Sequence, residues 1–345
     1  MKCCKPFFAS AFASLLFLAG CARLSGPNGE IPGGDQEGKD TVRIAFGSCI
    51  RYPEVATWKS IDNLRPDVML FLGDNIYMSA NDLGDAERIR RRYGRLLKAA
   101  GMPELLSHTK PIAVWDDHDF GPNNADSSFP AKDVSLTEFR RAWPNNPPPP
   151  RGLEESVSSD VTVGPVELLV LDDRTYRRNY KQDSEPQMFG EKQVQWIETR
   201  LKETTSPFIV LANGTQWLST SHIEEPGVYE TLWQYPSERD RLMKAIADSP
   251  ATVILLSGDR HFAEVLQVPL APGRVLYDLT SSPLSAPLAP ASSTGAEINR
   301  AALAVGRLNF GMLTINGREH SATFQLYDES GQPILEWPLQ ISKKE

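Results

Sequence analysis

Six short apolar runs along the chain each end in residues that can bind a metal ion or move a proton. Residues 42–46 (VRIAF) lead into Gly47-Ser48-Cys49, residues 67–72 (DVMLFL) into Gly73-Asp74-Asn75-Ile76-Tyr77, and residues 111–115 (PIAVW) into Asp116-Asp117-His118-Asp119. Residues 168–171 are followed by Asp172-Asp173-Arg174, 208–212 by Asn213-Gly214-Thr215-Gln216, and 252–256 by Ser257-Gly258-Asp259-Arg260-His261. A lone aspartate after a strand is ordinary turn or helix-cap chemistry. The same placement after six successive runs is not, because ligands of α/β sheets bind at the carboxyl ends of the strands. Cys, Asp, Asn and His are metal-ligand types, so the expected chemistry is that of a metal centre built from loops.

The motifs FGSC, LGDNIY, WDDHDF, LSGDRH and YDLTSSPL, in that order from about residue 42 to the C-terminal strands, resemble the alkaline phosphatase D (PhoD-like) family of the calcineurin-type metallophosphoesterase superfamily. The superfamily pattern is D-x-H, G-D-x-x-D, G-N-H-E, a later His, then G-H-x-H. Here GSC stands first, Gly73–Tyr77 second, Asp116–Asp119 third and Gly258–His261 last. The resemblance implies a four-layer α/β/β/α sandwich: two packed mixed β-sheets flanked by helices. It also implies a binuclear metal centre that hydrolyses phosphate mono- or diesters by attack of a metal-activated hydroxide.

On this mapping Asp74 bridges two metals, and Cys49, Tyr77 and His261 surround one of them. Thiolate, phenolate and imidazole suit Fe3+. Asp117, Asp259 and Asn213 join Asp74 around the other, an oxygen-rich set that suits Ca2+, and iron and calcium are the family's metals. His118 would face the site without ligating and would stabilise charge on the phosphate or protonate the leaving oxygen. Asn213 and Gln216 compete for the fourth-motif contact. Arg174 and Arg177 could clamp phosphate, although a surface ion pair explains them equally well. Asn123 and Asn124 are expected to shape a loop near the metals, while His108, His222 and His320 match no motif. Asp119 stands where the family commonly has glutamate.

The elements that position these residues are legible in outline. Apolar runs without alternation read as strands buried on both faces. Residues 56–64, 85–100, 191–203 and 238–247 read as helices covering a central sheet on two sides. After Leu266 the pattern turns to strands, over 274–279, 308–315, 321–327 and 334–341, and predicts a second sheet. Residues 144–150 are a stiff, proline-rich loop.

The N-terminus is an address. Lys2 and Lys5 precede an apolar run over 7–19, too short to be a comfortable membrane span. The run ends in Leu18-Ala19-Gly20-Cys21, which resembles a bacterial lipobox with Cys21 as the lipidated first mature residue. Residues 1–20 are then a signal peptide, 21–40 a flexible tether and 41–345 the phosphoesterase domain. The expected location is exported and membrane-anchored, with the outer membrane favoured by Ala22. Of the 4 cysteines, Cys49 alone would remain a free thiol in the mature protein. A formal charge of −8 argues against a nucleic-acid-binding surface. Two alternatives stay open: a phospholipase D-like phosphodiesterase acting on lipid head groups, and a non-catalytic lipoprotein that uses the fold for surface binding.

Overall fold

Five-residue runs with no polar face, such as Val-Met-Leu-Phe-Leu and Phe-Ile-Val-Leu-Ala, can bury every side chain only between other layers. That is where they lie. In a computed structural model, residues 39–341 are described except 180, 182, 221–229, 272, 291–296 and 305, together with Met1. The expected signal peptide, Cys21, most of the tether and His222 lie outside the described residues. Among those described, no helix is long and apolar enough to cross a membrane.

The element order is β1 (Thr41–Gly47), α1 (Thr57–Asn63), β2 (Val68–Leu72), α2 (Ala86–Leu97), α3 (Met102–His108), β3 (Lys110–Val114), α4 (Asp117–Phe120) and α5 (Lys132–Ala142). Next come β4 (Ser159–Val163), β5 (Val166–Val170), α6 (Glu191–Glu203), β6 (Phe208–Ala212) and, after a 3-10 turn at Leu232–Gln234, α7 (Pro236–Asp248). The chain continues through β7 (Thr252–Ser257), β8 (Ala263–Ala271), β9 (Arg274–Thr280), β10 (Arg300–Ala304), β11 (Asn309–Asn316), β12 (Ser321–Asp328) and β13 (Pro333–Pro338).

One sheet has the order β13-β12-β11-β1-β2-β3 and the other β10-β8-β9-β7-β6-β5-β4. Both are mixed. β1, β2 and β3 run parallel, as do β5, β6, β7 and β9. Side chains alternate across the second sheet with the strand period of two. Leu168, Val170, Val210, Ala212, Ile254 and Leu256 share a core with Ile44, Leu70 and Leu313 of the first sheet. Their neighbours Leu169, Ile209, Leu211, Val253 and Leu255 pack instead with Val194, Ile197 and Leu201 of α6 and Leu242 and Ile246 of α7. On the far side, Trp58, Ile61, Ile89, Met102 and Leu105 carry helices α1, α2 and α3 into the first core. In α2 the Asp85 carboxylate caps the amides of Glu87 and Arg88, both at 3.0 Å, and Ile89, Tyr93 and Leu96 recur at helical spacing on the buried face. The four-layer sandwich expected from the motifs is the observed architecture.

One expectation is corrected. The strands after Leu266 do not form a second sheet of their own. β8, β9 and β10 extend the sheet begun by β4–β7, and β11–β13 return to extend the sheet begun by β1–β3. Strand periodicity reveals strands, but edge partners depend on where the chain returns, which no local pattern encodes.

Parallel strands place all their following loops at one end, and the loops of both sheets meet there. The amide of Asp259, after β7, donates to the hydroxyl of Ser48, after β1, at 3.1 Å. Leu284 and Ala286, after β9, donate to the carbonyls of Ser48 and Cys49 at 2.8 and 3.0 Å. Such approach needs residues without a Cβ. A methyl at Gly258 would collide with the Ser48 hydroxyl, and one at Gly214 would lie 2.5 Å from an Asp116 carboxylate oxygen. Gly258→Val should therefore lower the midpoint of thermal unfolding and, by displacing Asp259 and His261, the metal content of the folded fraction. An unchanged midpoint would mean that Ser48 gives way freely.

Candidate metal centre

The loops deliver their donors to one cleft of about 300 Å3. It is lined by Asp74, Asp117, His118, Asn123, Asn124, Glu230, Asp259, Arg260 and His261, with the segment from Pro287 to Pro290 on its rim. Cys49 and Tyr77 stand directly behind Asp74 and His261. The Cys49 thiol points to an Asp74 oxygen at 3.7 Å, and the Tyr77 hydroxyl lies 3.1 Å from Nε2 of His261. Cys49 and Asp74 lie beside Tyr77, and Asp117 beside Asp74, near enough for their charges to be felt. Asp74 thus stands between a thiol–phenol–imidazole group and a carboxylate pair.

The backbone is bent to make this happen. Cys49, Asp74, Asp259 and His261 all adopt left-handed φ angles of 51–63°, as does Asn124 at 58°. Non-glycine residues in that region carry strain that clusters at functional sites. Each turn is held by neighbours: His118 N–H donates to Asp74 Oδ1 at 3.1 Å, His261 N–H to the Ser282 hydroxyl at 3.0 Å, and Asn124 N–H to Asp117 Oδ2 at 2.6 Å. α4 opens the third loop. The carboxylate of Asp119 accepts from Asp116 N–H at 2.7 Å and from the backbone and side-chain amides of Asn75 at 3.1 and 2.6 Å. Aspartate at this position fastens the second and third motifs together.

The electrostatics demand positive charge. Burial pushes the Cys49 thiol and the Asp74 carboxyl well up, and neighbouring acids push both further. Burial and the Asp117 charge lift Asp259 to about 6, and burial with Asp74 and Cys49 beside it raises Tyr77. Burial pushes Asp117 upward too, but Arg174, His118 and the Asn124 amide outweigh it and hold that carboxyl below its ordinary value. Burial lowers both His118 and His261 from the ordinary imidazole value. The Asp117 Oδ1 atom is buried and accepts no hydrogen bond from any of the described residues. Asp74, Asp117 and His118 each offer a ligand atom within 4.8 Å of the others. Crowded acidic donors, a buried carboxylate oxygen with no hydrogen bond among the described residues and two buried imidazoles fit a metal centre.

Four sequence expectations are relocated. Asn213 is buried beneath the cleft, where its carbonyl oxygen accepts from Trp217 Nε1 at 2.6 Å and its amide donates to Asp173 and the Thr215 carbonyl at 3.0 and 2.8 Å. Gln216 spends its amide on Glu264 and Thr280, both at 2.7 Å, and its oxygen on Arg260 at 2.7 Å. Neither lines the cleft. Arg174 and Arg177 are neither surface ion pairs nor exposed clamps. Arg174 is buried against Asp116 at 2.5 Å and Glu230 at 2.6 Å, and Arg177 pairs with the same Glu230 at 2.6 Å. His108 pairs with Asp62 on the surface, and His320 packs over Phe208, both away from the cleft. Sequence reasoning missed Glu230, which follows no recognisable motif, and the 287–290 rim, which begins just past the YDLTSSPL motif.

A model of PhoD-like phosphatases matches residues 44–325. The chain belongs to the PhoD-like phosphatase family. It is accordingly a hydrolase of phosphoric esters. Among solved structures, PhoD itself is similar over 91% of this chain and 73% of its own, with a TM-score of 0.67 at 17% identity. The purple acid phosphatase PPD1 from yellow lupin (Lupinus luteus) seeds is similar over 88% of this chain and 55% of its own, with a TM-score of 0.60 at 14% identity. No curated protein matches the sequence. At these identities the likeness speaks for the fold, and the placement of PhoD-like chemistry rests on the residues above.

Arg174 supplies a test of the buried network. Removing one partner of a buried ion cluster strands the others, at a typical cost of about 3–5 kcal/mol. Arg174→Ala should lose stability on that scale in denaturant unfolding. Wild-type stability with only a raised KM would instead make it a substrate clamp.

Proposed function

We propose that this chain is an exported phosphoesterase with a binuclear centre, hydrolysing phosphate mono- or diesters at neutral to alkaline pH. The observation that carries the reading is the position of Asp74 between two unlike donor groups. Cys49, Tyr77 and His261 form one, suited to Fe3+, and Asp117 and Asp259 the other, suited to Ca2+. Asn213 is left out of the set because its oxygen is committed to Trp217. Bound cations would neutralise phosphate oxygens and lower the pKa of a coordinated water. The protein's own groups do the rest. Asp74 and Asp117 fix the phosphate side of the cleft. His118 lies at 4.3 Å between ring centroids from Tyr77 and opens onto the cleft, from where it can hydrogen-bond a phosphate oxygen or deliver a proton to the leaving group.

Export rests on the lipobox-like Leu18-Ala19-Gly20-Cys21 at the end of the apolar run over 7–19. Cys21→Ser should abolish acyl labelling and release the protein from the membrane fraction. Retained labelling would remove the anchor from the proposal. A second reading, action on lipid head groups, draws on the same anchor.

Purified without chelator, the protein should contain iron and calcium and hydrolyse bis-p-nitrophenyl or p-nitrophenyl phosphate until chelator is added. Absence of metal and of turnover, even after both ions are restored, would favour a non-catalytic binding lipoprotein. Cys49→Ala should lose iron with the fold intact. His118→Ala should keep its metals and lose turnover by roughly two orders of magnitude or more, whereas loss of metal there would make His118 a ligand.

A further inference from the structure

The two sides of the cleft differ in chemistry. Asn123, Asn124 and Glu230 make one side polar, while Pro287, Leu288, Ala289 and Pro290 make the other apolar. Leu288 is 41% exposed, an unusual state for leucine among the described residues. An isolated exposed leucine means little. What gives this one meaning is that its segment is fastened to the candidate metal ligands. Ala286 N–H donates to the Cys49 carbonyl at 3.0 Å, Ala289 N–H to the His261 carbonyl at 3.2 Å, and the Pro287 backbone hydrogen-bonds the His261 ring. The wall is thus held in register with the place where phosphate would sit.

The side chains of the wall have no polar capacity. Pro287 and Pro290 also lack an N–H, the Ala289 N–H is taken, and none of the four side chains can donate or accept, so only main-chain groups remain. A hydroxylated or charged substituent laid against these side chains would lose water without gaining a side-chain partner. An alkyl or aryl substituent would lose nothing and cover Leu288.

We infer that residues 287–290 form the specificity wall for the organic group of the ester, that this group is apolar, and that Leu288 is its principal contact. The inference rests on the phosphoesterase reading and narrows it to esters whose substituent on the His261 side is a hydrocarbon.

The test uses the metal-loaded enzyme and two diesters with one leaving group, methyl p-nitrophenyl phosphate and hexyl p-nitrophenyl phosphate. The alkyl groups are nearly alike electronically and differ in apolar surface. Wild type should favour the hexyl ester in kcat/KM by about tenfold or more. Leu288→Ser should bring the ratio to within about twofold, and Leu288→Phe should preserve it. Equal kcat/KM for both esters in wild type, or an unaltered ratio in Leu288→Ser, would overturn the wall while leaving the phosphoesterase standing. Hydrolysis of neither diester while p-nitrophenyl phosphate is still cleaved would overturn the wall and leave a phosphomonoesterase, whereas hydrolysis of none of the three would overturn the phosphoesterase reading as well.

Discussion

Carboxylates from two different sheets meet at one buried seam, and their mutual repulsion is the constraint around which the rest of the molecule is arranged. Asp74 and Asp117 come from the first sheet and Asp259 from the second, with Asp116 and Asp173 immediately beneath. In a low-dielectric interior such crowding is tolerable only with compensating cations or retained protons. The crowding shows in the individual groups: burial and neighbouring acids raise Asp74, Asp116 and Asp259, while Arg174 and its neighbours hold Asp117 down. The seam is an unsatisfied charge distribution that fixed positive charge completes.

Part of that charge is built in. Arg174 and Arg177 share Glu230, while Arg174 also grips Asp116 and lies 3.7 Å from Asp173. This places the inner carboxylates in a protein-only ion cluster and leaves the outer ones, Asp74, Asp117 and Asp259, lining the cleft. The division explains why two adjacent aspartates, Asp116 and Asp117, have different fates. Asp116 is bound by arginine from the opposite sheet, so it ties the sheets together. Asp117, one residue on, lines the cleft instead. Glu230 belongs to both halves, since it neutralises the arginines and also lines the cleft. Damage to the inner cluster would therefore be felt at the outer one.

Much of this was readable from the sequence because the strongest signals are local. Runs such as residues 208–212 become strands with the same limits, and 191–203 becomes α6 unchanged, since each is bounded by breakers and long enough for its period to show. The cluster of Cys49, Asp74, Tyr77, Asp117, Asp259 and His261 was legible because parallel strands force consecutive loops to one end. What was not legible is the direction of side chains one residue away. Asn213 follows its strand as directly as Asp74 nearly does, yet Trp217 Nε1, four residues on, claims its oxygen. Arg174 looks like a phosphate clamp until the opposite sheet is present to bury it. The arginine's choice depends on Asp116, 58 residues distant, and the Asn213 amide is fixed by Asp173, 40 residues distant.

The third motif shows how far a local departure can be absorbed. Asp119 is one methylene shorter than the glutamate usual in the family, which would matter if its carboxylate had to reach across the cleft. It does not reach outward. α4 begins at Asp117, so residue 119 turns back over the helix start and its carboxylate meets the Asp116 amide from within its own turn. Its other oxygen takes both amide donors of Asn75, the residue that follows Asp74. These bonds favour the charged form, yet burial still carries the carboxyl up to about 7. The shorter acid suits this work, because the donors come from adjacent loops already pressed together. It sets the spacing of Asp74 from Asp117, and so the geometry of the centre, without touching the cleft.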